Sequence, residues 1–302
     1  MQVTIEPLAP ELEASIRKRL AANPFIKYVG IQVPQLGRGY ARFLLPFKPE
    51  LANSIGLLQG GVIAALADEA ALFPEAGAVG DGGSAMSLEL EITKLFKTYN
   101  GNPILRDCSF AFAGGRTYVL QGPNGSGKST LFRLLALLEK PDGGRVEYRE
   151  GGRALADGLD LRRRLTLVLP RTGIFNTTVF HNVAFGLQIR GFGKTAIRER
   201  VEAALTAVGL AHKQNARALN LSSGETKRLG IARAMVINPE VFLLDEPTAN
   251  IDPANTAIIE EIILALKRQR QATLLLITHD SAQAQRLGDE LLWLNDGKVV
   301  TA

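Results

Sequence analysis

Eight residues, Gly122-Pro123-Asn124-Gly125-Ser126-Gly127-Lys128-Ser129, carry three glycines, a lysine and a hydroxyl at the spacing G-x-x-x-x-G-K-[ST]. Glycines at 122, 125 and 127 leave the backbone without a Cβ, so successive N–H groups can close on a polyphosphate. Lys128 has the reach to meet the β- and γ-phosphates, and the Ser129 hydroxyl can ligate Mg²⁺. Three further places offer matching chemistry. Asp245 and Glu246 set two carboxylates at the end of an apolar run. His279 ends another such run. In Leu221-Ser222-Ser223-Gly224-Glu225, a hydroxyl and a bare backbone amide open a helix whose positive end suits an anion.

These groups need elements to hold them. The run 117–120 before the glycine loop reads as a strand and 130–139 after it as a helix. Residues 240–247 hold an apolar run that ends in two acids and 273–280 one that ends in His279, the pattern of strands buried on both faces of a parallel sheet. Ligand chemistry in such sheets gathers at the carboxyl ends of the strands, where Asp245, Glu246 and His279 fall. The fold class is therefore α/β.

The chain has 302 residues, 46% of them hydrophobic and 22% charged, enough for about two domains with ordinary cores. No apolar run approaches the roughly 18 residues of a membrane span. The first residues lack a basic stretch followed by an apolar one, and Cys108 is the sole cysteine, so a cytoplasmic location is expected. The net charge of +5 is spread along the chain apart from 162–164 and 267–270, and no nucleic-acid partner is expected.

The amino-terminal part reads differently. Residues 10–22 form an amphipathic helix, 28–33 and 39–47 two strands joined by a glycine-rich turn, and 60–73 a helix apolar almost all round. Glycine-rich 76–85 marks the boundary, giving domains 1–85 and 86–302, with a strand expected at 84–92. Segment 1–85 resembles the first half of a hotdog-fold thioesterase of the phenylacetate type, a small α+β partial hotdog. That family carries His-Gly-Gly before its central helix and an acid on it. Gly60, Gly61 and Asp68 match, and Gln59 stands where the His would be.

From residue 88 onward the motif order resembles the ATP-binding cassette (ABC) ATPases, a P-loop NTPase fold with a mixed or parallel sheet and a helical subdomain. The resemblance implies an ATP site of Tyr99, which stacks on adenine, with Gly122, Asn124, Gly125, Ser126, Gly127, Lys128, Ser129 and Thr130. It implies Mg²⁺ on Ser129 and Asp245, Glu246 polarising the water, and His279 as the switch histidine. Ser222 and Gly224 close the ATP of a second copy, with Ser223 in place of the usual glycine, and 250–252 contact that copy. Residues 175–190 resemble the helical subdomain of importers for tungstate and molybdate. A homodimer, membrane permease subunits and a substrate-binding protein are the implied partners, with the chain peripheral at the inner face of the membrane. No regulatory domain is expected after residue 300. Pro170 stands where the family has a glutamine that touches Mg²⁺ and water. Proline has neither the amide side chain nor an N–H, so a chain that binds ATP and hydrolyses it poorly is one alternative. Thioesterase activity of the amino-terminal segment is the other.

Overall fold

The computed structural model describes residues 9–11, 13, 14, 17, 18, 32–37, 40–44, 88–269 and 272–301. The chain divides into two compact units, Met1–Gly80 and Asp81–Ala302.

In the first unit the described residues between 10 and 18 are helical, with Arg17 paired to Glu13 one turn earlier at 2.8 Å. Strands β1 (Gln32–Gly37) and β2 (Tyr40–Leu44) pair antiparallel. The first strand runs later than the expected 28–33 and takes in Pro34. A proline cannot donate to the ladder, and the register shifts between Gln32 and Gln35. Gln59, Gly60, Gly61, Asp68 and the stretch 76–85 lie outside the described residues.

The second unit opens with β3 (Glu89–Tyr99) and β4 (Asn102–Phe112). The strand expected at 84–92 is described from Glu89 and continues to Tyr99. Leu88, Leu90 and Ile92 alternate inward, then Lys94 takes a left-handed φ of 47° and the register slips, so Leu95 becomes the next buried residue. Next come β5 (Thr117–Gln121), α1 (Lys128–Leu135), β6 (Gly143–Glu150), β7 (Arg153–Ala154), α2 (Leu159–Arg162) and β8 (Leu165–Val168). A helical region follows, α3 (Val179–Ile189), α4 (Lys194–Ala207) and α5 (Ser223–Met235). The chain continues through β9 (Val241–Asp245), α6 (Pro253–Gln269), β10 (Thr273–Ile277), α7 (Ser281–Leu287), β11 (Glu290–Asn295) and β12 (Lys298–Thr301).

The central sheet has the order β12-β11-β5-β10-β9-β8, parallel except for the edge strand β12. A second sheet, β4-β3-β6-β7, is antiparallel. Burial explains why the central strands are apolar throughout. Val241 and Leu243 enter the core shared with the antiparallel sheet and α1, while Phe242 and Leu244 enter the core shared with α3 to α6. On β10, Leu275 and Ile277 divide from Leu274 and Leu276 in the same way. Both faces of β9 and β10 are covered, so apart from Asp245 at the end of one and Thr273 at the start of the other their side chains are apolar.

The helix expected at 130–139 ends at Leu135. Leu137 adopts a left-handed φ of 56°, and the amides of Leu138 and Glu139 turn back to the Arg133 carbonyl. The basic stretches are tied to acids: Arg162 to Asp157 at 2.9 Å, Arg164 to Glu240 at 2.6 Å and Lys267 to Asp289 at 2.8 Å.

Candidate functional site

Gln121 ends β5 and Lys128 begins α1, so the glycine loop is the strand-to-helix turn at the carboxyl edge of the sheet. Two glycines are required by space. A Cβ on Gly122 would lie 2.4 Å from the Leu294 carbonyl oxygen, and Gly127, at φ 101°, would place one 2.6 Å from Ile104 Cγ2. Lys128 is buried, and its Nζ donates to the carbonyls of Gly122 and Pro123, each at 2.8 Å. Its ammonium therefore lies inside the curve of its own loop. Burial draws its pKa down, against the opposing charges of Glu246 and Asp245. The buried Ser126 hydroxyl has no hydrogen-bond partner, an orphan that a phosphate oxygen would satisfy.

The carboxyl ends of β9 and β10 bring the acids and the histidine to the same edge. Asp245 is 1% exposed, and burial raises its pKa while a hydrogen bond from Ser129 opposes the rise. Its Oδ1 has no partner. A hydroxyl, one buried carboxylate with a spare oxygen and a phosphate-sized loop fit Mg²⁺, which is usually held by one or two carboxylates plus substrate phosphates. Glu246 is strained, with φ 48°. Its Oε1 lies 3.1 Å from His279 Nε2, and the imidazole is 45% exposed, facing outward.

Tyr99 ends β3 and is 36% exposed, with the Lys97 ammonium over its ring at 5.5 Å from the centroid. Its hydroxyl bonds to Glu139, which Arg133 holds at 2.6 Å, and Arg133 in turn donates to Thr130 at 3.2 Å. The early end of α1 is what lets Glu139 fold back to the ring.

Ser222 caps α5 in a reciprocal box: its hydroxyl accepts from the Glu225 amide at 3.2 Å, and the Glu225 carboxylate accepts from the Ser222 amide at 3.0 Å. Gly224 lies against Asn255, where a Cβ would come within 2.2 Å of the amide carbon. Ser223 is exposed, so its Cβ meets solvent in a single copy.

The ABC transporter family model matches residues 105–249. The tungstate uptake system ATP-binding protein TupC of Peptoclostridium acidaminophilum is 36% identical over 212 residues, covering 70% of this chain and 97% of that protein. The chain belongs to the ABC transporter family.

Two other members are a probable anion import ATP-binding protein of Haloferax volcanii, 39% identical over 73% of this chain and 82% of that protein, and the phosphate import ATP-binding protein PstB 2 of Natronomonas pharaonis, 38% identical over 68% and 76%. The structure of CbiO1 from Clostridium perfringens, part of the ABC transporter complex CbiONQ, superposes with a TM-score of 0.63 at 28% identity, covering 70% of this chain and 86% of that one. The unit from 81 onward has this ABC fold, and the chain is an ATP-binding, ATP-hydrolysing ABC subunit. Among the described residues no helix is long and apolar enough to cross a membrane.

Within this ABC subunit one chain brings together the glycine loop, Asp245, Glu246 and His279. Tyr99 is connected to α1 through Glu139 and Arg133. Pro170 follows β8, and its carbonyl is 2.6 Å from Lys227 Nζ. Sequence spacing gives no sign of Lys227 or of the Arg133–Glu139 pair, because both act through chain reversals rather than through a motif.

Proposed function

We propose that this ABC ATPase powers uptake of an oxyanion through membrane permease subunits and a substrate-binding protein. Its relatives that import tungstate, phosphate and anions support the substrate class. Selection of the solute belongs to the permease and binding protein.

The observation that carries the hydrolytic reading is the Glu246–His279 pair at 3.1 Å beside the glycine loop. Backbone amides of 122–129 and Lys128 receive the phosphates of ATP, with Lys128 exchanging its two carbonyl partners for phosphate oxygens. Tyr99 receives adenine. Ser129 and Asp245 would hold Mg²⁺, which when bound would supply positive charge against the phosphates. Glu246 orients the attacking water and accepts its proton as the new oxygen–phosphorus bond forms and ADP leaves. His279 fixes the Glu246 carboxylate and donates toward the γ-phosphate. Ser222 and Gly224 of a second copy complete the site, with the positive end of α5 directed at the same phosphate.

Turnover measured with Mg-ATP tests the reading. Glu246→Gln should lower kcat at least about a hundredfold while nucleotide binding persists, on the scale of removing a general base. Equal turnover in both proteins would remove Glu246 from this role. The thioesterase alternative at Asp68 has its own assay, acyl-CoA cleavage lost in Asp68→Ala.

A further inference from the structure

Lys227 lies one turn into α5, yet its amine is bonded to two separate loops. Nζ donates to the Pro170 carbonyl at 2.6 Å and to the Glu246 carbonyl at 3.0 Å. The same ammonium is close enough to Asp245 and Glu246 to interact with both charges. Glu246 has left-handed backbone at φ 48°, which a side-chain-bearing residue keeps only when its surroundings hold it. Its amide donates to Ile277 at the end of β10, and its carbonyl also accepts from Ala249. Lys227 is thus a charged side-chain donor to the strained peptide that carries the Glu246 carboxylate. At position 170, proline offers only a carbonyl, and that carbonyl is the group Lys227 takes.

We propose that Lys227 is a positioning residue for Glu246: it locks the left-handed peptide and ties it to Pro170, so the loop after β8 sets the place of the carboxylate without an amide side chain at 170. The inference rests on Glu246 being the water-activating group. It makes the contact between α5 and the β8 loop part of the hydrolytic apparatus, although Lys227 touches no substrate atom. Truncation leaves two carbonyls short of a charged donor and lets the 246–249 turn relax toward ordinary backbone.

The test uses the full-length chain with Lys227→Met, which keeps the stem, and Lys227→Arg, which keeps charge and donors. Lys227→Met should lower kcat about tenfold, the scale of a lost hydrogen bond to a charged group, while KM for ATP and binding of a fluorescent ATP analogue stay within about twofold. Lys227→Arg should recover part of kcat. Adding Pro170→Gln should raise kcat by a larger factor in Lys227→Met than in the wild type, because the amide then has a role Lys227 no longer fills. Hydrogen exchange supplies a readout independent of turnover: the 246–250 segment should exchange faster in Lys227→Met while the interior of α5 stays protected. Unchanged kcat with unchanged exchange overturns the proposal, and so does a loss of ATP binding in proportion to kcat. If Glu246→Gln retains wild-type turnover, the reading of Glu246 fails separately. Exchange at 246–250 then decides the tie, with faster exchange upholding it and no change overturning it.

Discussion

Asp245 shows at the scale of one residue how a site is built against stability. Its folded-state pKa lies above the ordinary carboxylate value because burial disfavours the charge. An acid with a raised folded pKa costs stability above that value, and the cost disappears as pH falls below the unfolded pKa of about 3.9. Asp245→Asn should therefore raise the melting temperature of the nucleotide-free protein at pH 7, with the gain shrinking toward pH 4. The same substitution should abolish Mg-ATP turnover. Thermal melts at the two pH values, beside a turnover assay, check both halves. A lower melting temperature at pH 7 would mean that Ser129 and the nearby cations already compensate the buried charge.

Most of the candidate site was legible for chemical reasons. A phosphate loop needs glycines where backbone meets anion, and a strand covered on both faces must be apolar until it reaches the edge where Asp245 and His279 stand. Lys227 was not legible. It meets residues 57 and 19 positions away, and that proximity arises from how α5 crosses the ends of β8 and β9. The Tyr99–Glu139–Arg133 network was hidden for a related reason. It depends on Leu137 in left-handed conformation, which leucine's own preference disfavours and which shortens the helix read from 130–139.

Among the elements, the loops at the strand ends decide what the sheet can do. The turn from β5 to α1 has no room for a side chain at 122. Gly122→Ala would place its Cβ 2.4 Å from a backbone oxygen of β11, at a φ of 147°. A cost of about 1–3 kcal/mol and a matching loss of ATP affinity are expected, measurable by chemical denaturation and nucleotide titration. An alanine protein as stable as wild type would require β11 to move. The loop after β8 has the opposite character if, as the resemblance implies, Pro170 stands where an amide is expected. Pro170→Gln should raise the ATPase rate by returning a polar side chain toward Mg²⁺ and water. Equal rates with proline and glutamine would show that position 170 does not limit hydrolysis. Central strands β5, β9 and β10 follow the apolar pattern closely, whereas β3 does not. The slip at Lys94 lengthens it beyond the expected end at 92, and single-residue alternation cannot foresee a bulge.

On the scale of the whole molecule, ABC sequence relatives match about 70% of the chain, and Met1–Gly80 forms its own compact unit. We propose a domain boundary at 85/86. Limited proteolysis with and without Mg-ATP should cut near 76–85 in both conditions and protect the later unit when nucleotide is present. Cleavage first within 122–129 would contradict that division. The glycine loop and the opening of α5 belong to one chain, yet Ser222 is committed to capping its own helix and Gly224 is packed on Asn255. In the function proposed above, their phosphate-facing role is played toward a second copy placed head to tail. Sedimentation of the Glu246→Gln protein with and without Mg-ATP tests that arrangement most directly. ATP should convert it from monomer to dimer, and Ser222→Arg should block the conversion while leaving nucleotide binding intact. A protein that saturates with ATP and remains monomeric would contradict the two-copy site.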